Sequence, residues 1–229
     1  MSSPPIDDPL AAKLRGFGPL GILAIAVILL TGNVFPGGVA IPLGGLLVLA
    51  WTRLSQTPLR QVGYARPTNW ALTIALGIAL GIVFKFVMKA LVMPLFGAPA
   101  VNPTYHYLAG NTAALPAAIW AMLVAAGFGE ETVFRGFAFE RVRALLGPKA
   151  WVKTLTVLVT SAAFGVAHYA NQGVPGVQQA TIMGLVYGTL FALTGRIWLG
   201  MITHIAFDLT ALAMIYWDFE SAIAHLVFK

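Results

Sequence analysis

Between Lys89 and Glu130 the chain runs for forty residues without a charged side chain, and it then sets Glu130, Glu131 and Arg135 into the same apolar context. Such a run restricts the fold severely. Roughly 20 apolar residues cross a bilayer, and inside it every backbone polar group has to be bonded internally, which leaves helices as the local structure. Two adjacent carboxylates and an arginine are costly in those surroundings, so they mark a functional site.

Composition supports this class assignment. Of 229 residues, 59% are hydrophobic and 10% are charged, against roughly 25% charged in an ordinary soluble domain. The expectation is an all-α, polytopic helical membrane protein. The net charge of +6 comes from scattered Lys and Arg residues, which read as anchors facing anionic headgroups and not as a nucleic-acid surface. There is no cysteine, so disulfides, thiolate metal ligands and cysteine nucleophiles are excluded together.

Residues 1–10 are polar and proline-containing and are expected to form a disordered tail, with residues 11–229 as one helical membrane domain. Apolar runs at 17–30 and 39–51 predict a helical hairpin, with Lys13 and Arg15 at one end and Arg53, Arg60 and Arg66 at the other, all on the cytoplasmic side. A third span runs from Asn69 to about Leu95. Near its end Lys85 and Lys89 share one face and are expected to snorkel to the interface, the alternative being that they line a cavity. In the linker 96–111, Tyr105, His106 and Tyr107 suit the headgroup level.

Helix is expected from Asn111 to Ala126 and again from Glu130 to Leu146, with Gly127 and Gly129 either kinking it or admitting close packing. Further spans are expected at 152–168, 177–193 and 197–216, followed by a short amphipathic tail at 218–229. Arg141, Arg143, Lys149 and Lys153 place the 147–151 turn on the cytoplasmic side. This gives about seven to eight transmembrane or broken helices.

Three polar clusters interrupt these helices. Glu131 and Arg135 are spaced i,i+4 and can pair, while Glu130 points elsewhere and is left free to face a cavity as a general base. Phe164 and His168 share a helical face, as do His204 and Asp208. A glutamate and a histidine from separate helices can hold and deprotonate a water, and a second histidine can donate to the oxyanion that forms. The same groups also suit a proton path in a pump or channel. There is no His-Glu-x-x-His zinc motif, no intramembrane aspartate pair and no nucleophile-elbow serine. No metal or other cofactor is expected. Were a zinc ion present, Glu130, His168, His204 and Asp208 would be its donors.

Glu130-Glu131-Thr-Val-Phe-Arg135, Phe164-Gly-Val-Ala-His168 and His204-Ile-Ala-Phe-Asp208 follow in order on predicted membrane helices. In this the sequence resembles the CPBP (CAAX protease and bacteriocin-processing, Abi) intramembrane protease family, over a motif-bearing core at about 112–212. The resemblance implies a CAAX-protease-like fold in which Glu130 and His168 activate water, His204 and Asp208 form the oxyanion hole, and Glu131 and Arg135 orient the site. Asp208 stands where the eukaryotic CAAX endopeptidases of this family carry asparagine. An ionised carboxylate cannot donate to an oxyanion, so Asp208 is expected to be either protonated or the partner that orients His204.

The function expected is that of an intramembrane endopeptidase of CAAX type or of bacteriocin and peptide processing. The alternative is a non-proteolytic membrane immunity or interaction protein, or an ion-coupled transporter. Its partners would be a peptide or membrane-associated protein substrate, lipidated or not, and the bilayer, with no nucleic acid. The location expected is a bacterial plasma membrane.

Overall fold

The computed structural model describes residues 8–34 and 39–228. Most of the tail expected at 1–10 lies outside the described residues. Within them Asp8 accepts from the Leu10 amide at 3.0 Å and, with Pro9 at the first position, starts helix α1, Pro9–Arg15. α2 is Pro19–Val34, and the break between Pro9–Arg15 and Pro19–Thr31 bends the chain by 58°. α3 is Ala40–Leu54, α4 Trp70–Leu95, α5 Thr112–Leu146, α6 Ala150–Ala167, α7 Tyr169–Thr194, α8 Ile197–Tyr216 and α9 Glu220–Ala224. Asn69 and Asn111 cap the starts of α4 and α5 through side-chain oxygens, and Gly147 and Gly195, both at positive φ, end α5 and α7.

Among the described residues five helices are long and apolar enough to cross a membrane, or six if the bent α1–α2 pair forms one span. The expected number is seven to eight transmembrane or broken helices, and the shorter apolar helix α3 stands beside those counted here. Residues 112–146 are a single helix, because Gly127 and Gly129 admit neighbours and do not break it. A Cβ at Gly127 would collide with Ile205, and one at Gly129 would lie 2.7 Å from Ile41. The middle of α5, Ala121–Phe137, is wound as π-helix, an uncommon geometry that recurs at functional sites. α3, with 15 residues, is short for a span.

Packing fixes the directions of the helices. Gly165 meets Thr181, Ser161 meets Gly184 and Val157 meets Gly188, so α6 and the body of α7 run antiparallel around a turn at Gly173 (φ 62°, ψ −156°). That turn lies inside the helix assigned from Tyr169 and replaces the loop expected at 169–173. α4 and α8 run parallel instead: Gly77 meets Ile202 and Gly81 meets Ala206, four residues further along both helices. Gly81 lets the backbones approach, since a Cβ there would collide with the main chain of Thr203 and lie 2.8 Å from the Phe207 amide nitrogen.

The two ends of the bundle differ. At one end Arg15 donates to the Ser55 carbonyl (2.8 Å), Trp51 to Leu14 (3.2 Å), Arg141 to Arg15 (2.7 Å), and the Ile197 amide to Gly63 (2.9 Å). These contacts gather the α1–α2–α3 hairpin, the 59–69 connection, the α5–α6 turn and the start of α8. Arg53, Arg60, Arg66, Arg143, Lys149 and Arg196 belong to the same end. At the other end the Gly110 amide donates to Tyr216 (3.0 Å) and Gln172 to the Tyr105 hydroxyl (3.1 Å). That brings the 96–111 connection, the Gly173 turn and α9 together.

Burial is inverted relative to a water-soluble domain. Glu131, Arg135 and His204 are buried, whereas Leu72, Ile74, Leu76, Ile78, Leu80, Ile82 and Val83 are exposed along α4. An apolar exterior around a polar interior is what a hydrocarbon solvent selects.

The close α4–α8 approach predicts that Gly81→Ala lowers stability by about 1–3 kcal/mol, read as a lower thermal midpoint in detergent. Gly18→Ala, where a Cβ meets nothing within 4 Å, leaves the midpoint unchanged.

Candidate active site

α5 and α8 face each other where their small residues allow it, and this brings Glu131 against His204. His204 Nδ1–H donates to Glu131 Oε1 at 2.9 Å, and Arg135 Nη1 lies 3.0 Å from the same oxygen. Glu131 is 0% and Arg135 2% exposed, so the charges are shielded from both water and lipid. The arginine contact is an ion pair without hydrogen-bond alignment, and both Nη atoms lack a hydrogen-bond acceptor. Aromatic faces supply the remaining stabilisation: the guanidinium carbon lies 4.5 Å from the Phe164 ring centre and 5.5 Å from that of Tyr187. Gly200 makes room for the carboxylate, since a Cβ there would lie 3.1 Å from Glu131 Oε2.

With Nδ1 engaged, His204 turns Nε2 toward a cavity of about 1020 Å³. Glu130 Oε2 stands 3.8 Å and Asp208 Oδ2 3.6 Å from Nε2, both beyond hydrogen-bond distance. The Glu130 and Asp208 side chains are 16% and 24% exposed, against 1% for Glu131. The adjacent glutamates thus occupy different environments, Glu131 in the protein interior and Glu130 at the cavity wall.

Asp208, expected to be either protonated or the partner that orients His204, lies on the Nε2 side, and the hydrogen bond to Nδ1 is made by Glu131 from another helix. His168 occupies the α6–α7 junction, where its Nδ1–H donates to the Phe164 carbonyl at 2.8 Å and leaves Nε2 directed away from that bond. It lines the same cavity but has no carboxylate within 4.0 Å among the described residues. Glu130, His168, His204 and Asp208 therefore share one cavity, with His168 set apart from the other three. Among the described residues no three His, Asp or Glu side chains are grouped as a metal site requires. The donor set named for zinc does not fit.

Several residues of this region carry no local signal in the sequence. Tyr187, fully buried, lies 5.0 Å centre to centre from the His204 ring. Glu220, in the short tail helix, pairs with Lys89 at 2.8 Å and accepts from the Asn102 amide. Lys85 and Lys89 do not snorkel: each is 8% exposed and both line the cavity. Tyr105, expected at headgroup level, also lines the cavity and accepts from Gln172. Burial pushes its phenol up to about 12, with the Asp208 and Glu130 carboxylates adding to the effect and the Gln172 hydrogen bond opposing it.

Residues 112–210 match the family model described as Type II CAAX prenyl endopeptidase Rce1-like. The match spans α5 to most of α8 and includes Glu130, Glu131, Arg135, Phe164, His168, His204 and Asp208. No curated protein and no solved structure matches the chain significantly.

Two outcomes follow from this geometry. Glu131→Gln leaves Arg135 buried without its counter-charge and lowers stability by about 3 kcal/mol or more, measured by thermal unfolding in detergent. Tyr105 titrates near 10.0 when unfolded and at about 12 when folded. Its contribution to stability is complete below pH 10 and is lost as pH rises from 10 to 12. Tyr105→Phe removes that share of the alkaline loss, seen as a flatter melting temperature over the same pH range.

Proposed function

We propose that the CAAX-protease-like region at residues 112–210 works as an intramembrane endopeptidase that hydrolyses a peptide bond with a water activated by Glu130 and His168. The observation that carries this reading is the convergence of Glu130, His168, His204 and Asp208 from α5, the α6–α7 junction and α8 on one cavity, with His204 fixed from behind by Glu131. Glu130 takes the proton of a water that also hydrogen-bonds His168 Nε2, and the resulting hydroxide attacks the carbonyl carbon. As the tetrahedral intermediate forms, His204 in its imidazolium form donates Nε2–H to the oxyanion. Glu130 then passes its proton to the leaving amine. Asp208 assists at the oxyanion only when protonated. Glu131 and Arg135 position His204 and touch no substrate.

The substrate is a peptide or a segment of a membrane-associated protein, lipidated or not, that enters the cavity of about 1020 Å³. The basic end of the bundle sets the orientation. Under the positive-inside rule it faces the cytoplasm of a bacterial plasma membrane, so the 96–111 connection, the Gly173 turn and α9, which all contribute to the cavity lining, lie toward the opposite face.

Glu130→Ala, His168→Ala and His204→Ala are expected to abolish cleavage of a peptide library, each by at least about a hundredfold, while eluting as folded monodisperse protein in detergent. Undiminished cleavage in all three variants sinks the proposal. Glu130-dependent uptake into proteoliposomes with no peptide cut supports a transporter instead. Because the chain has no cysteine, orientation can be read with single introduced thiols. A membrane-impermeant maleimide added to intact cells should label Tyr107→Cys and not Leu145→Cys, and the reverse pattern inverts the topology.

A further inference from the structure

Seven Lys, His, Asp and Glu side chains line the cavity, and six of them have a partner. Lys89 is paired with Glu220, Glu130 and Asp208 both face His204, and His168 is bonded to the Phe164 carbonyl. Lys85 is different. It is 8% exposed and has no carboxylate within 4.0 Å among the described residues. Its ammonium reaches the Gln179 side-chain oxygen at 3.5 Å and lies 4.8 Å from the centre of the Phe207 ring. One long amide contact and one aromatic face compensate poorly for a charge removed from water and placed in a membrane protein's interior.

The surroundings of Lys85 suit an anion with two acceptor oxygens. Gln179 comes from α7, also lines the cavity, and has an amide N–H₂ group with no hydrogen bond to protein among the described residues. An ammonium beside an amide donor can hold both oxygens of a carboxylate. The position is close to the candidate chemistry as well: Phe207, which Lys85 covers, is one helical turn from His204 and adjacent to Asp208 on α8. One short peptide can therefore reach both places.

We propose that Lys85 and Gln179 form a carboxylate-binding subsite in the cavity and that the peptide taken up carries a carboxylate there, from either its C-terminus or an acidic side chain. This deepens the proteolytic reading by assigning a substrate class, and it rests on that reading only for the claim that the bound peptide is cut.

Binding to the full-length protein in detergent tests it, with affinity taken from the ligand dependence of the thermal midpoint. Three probes are compared: N-acetyl-Leu-Leu-Leu with a free carboxylate, the same peptide as its C-terminal amide, and N-acetyl-Leu-Glu-Leu amide. The free acid is expected to bind wild type about tenfold or more tightly than its amide. The preference should collapse in Lys85→Met and return at least in part in Lys85→Arg. Glu-peptide affinity close to that of the free acid makes a side chain an acceptable source of the carboxylate, and affinity close to that of the amide restricts the source to the C-terminus.

Equal affinity for acid and amide in wild type, binding of neither, or an undiminished preference in Lys85→Met overturns the subsite. The wild-type comparison stands even if Lys85→Met fails to fold. Preference for the acid with no peptide ever cut keeps the subsite and sinks the proteolytic reading, whereas cleavage without any preference does the reverse.

Discussion

Much of the interior depends on one carboxylate oxygen. Glu131 Oε1 meets the Arg135 guanidinium on its own helix and the His204 imidazole on α8. A buried arginine without that oxygen would be several kcal/mol out of balance, and a buried histidine without it would have no reason to present one nitrogen to the cavity. The arrangement needs a close approach of α5 and α8. Gly127 supplies it against Ile205, and Gly200 supplies it against Glu131 itself. The Phe164 and Tyr187 rings then close over the arginine and exclude lipid. Small residues, a shared acceptor and two aromatic faces thus form one interdependent unit, in which Glu130, the next residue along, is turned to the cavity wall.

This division of labour between adjacent glutamates was half visible in the sequence. The i,i+4 spacing of Glu131 and Arg135 is a local property, and a helix brings them together wherever it packs. The bond from His204 to Glu131 joins residues 73 apart in the chain, and no local pattern encodes which of three carboxylates a histidine will choose. Asp208, at i,i+4 from His204, was the natural candidate by periodicity. Packing decided otherwise, because Nδ1 of His204 is turned toward α5.

The same limit explains the other differences. Hydropathy located each long helix but left open whether 112–146 is one helix or two, since the glycines at 127 and 129 read equally well as a break or as a packing surface. Lys85 and Lys89 look like interfacial anchors when only their own helix is considered. Their burial follows from α7, α8 and α9, which bring Gln179, Phe207 and Glu220 to them. Polarity between the two ends of the bundle was partly legible, because most arginines fall in the connections, or in the helix ends beside them, that the fold gathers at one end. That the 96–111 connection, the Gly173 turn and α9 would line one cavity required knowing the tertiary packing.

The most direct test of this account is the protonation pattern of His204. In protein labelled with ¹⁵N-histidine, with His106, His168 and His225 each replaced in turn to assign the signals, the imidazole nitrogens can be read by NMR. The expected result is a proton on Nδ1 in a strong hydrogen bond, and its loss or marked weakening in Glu131→Gln. A His204 that carries its proton on Nε2 alone, or whose Nδ1 signal is unchanged by Glu131→Gln, would contradict it.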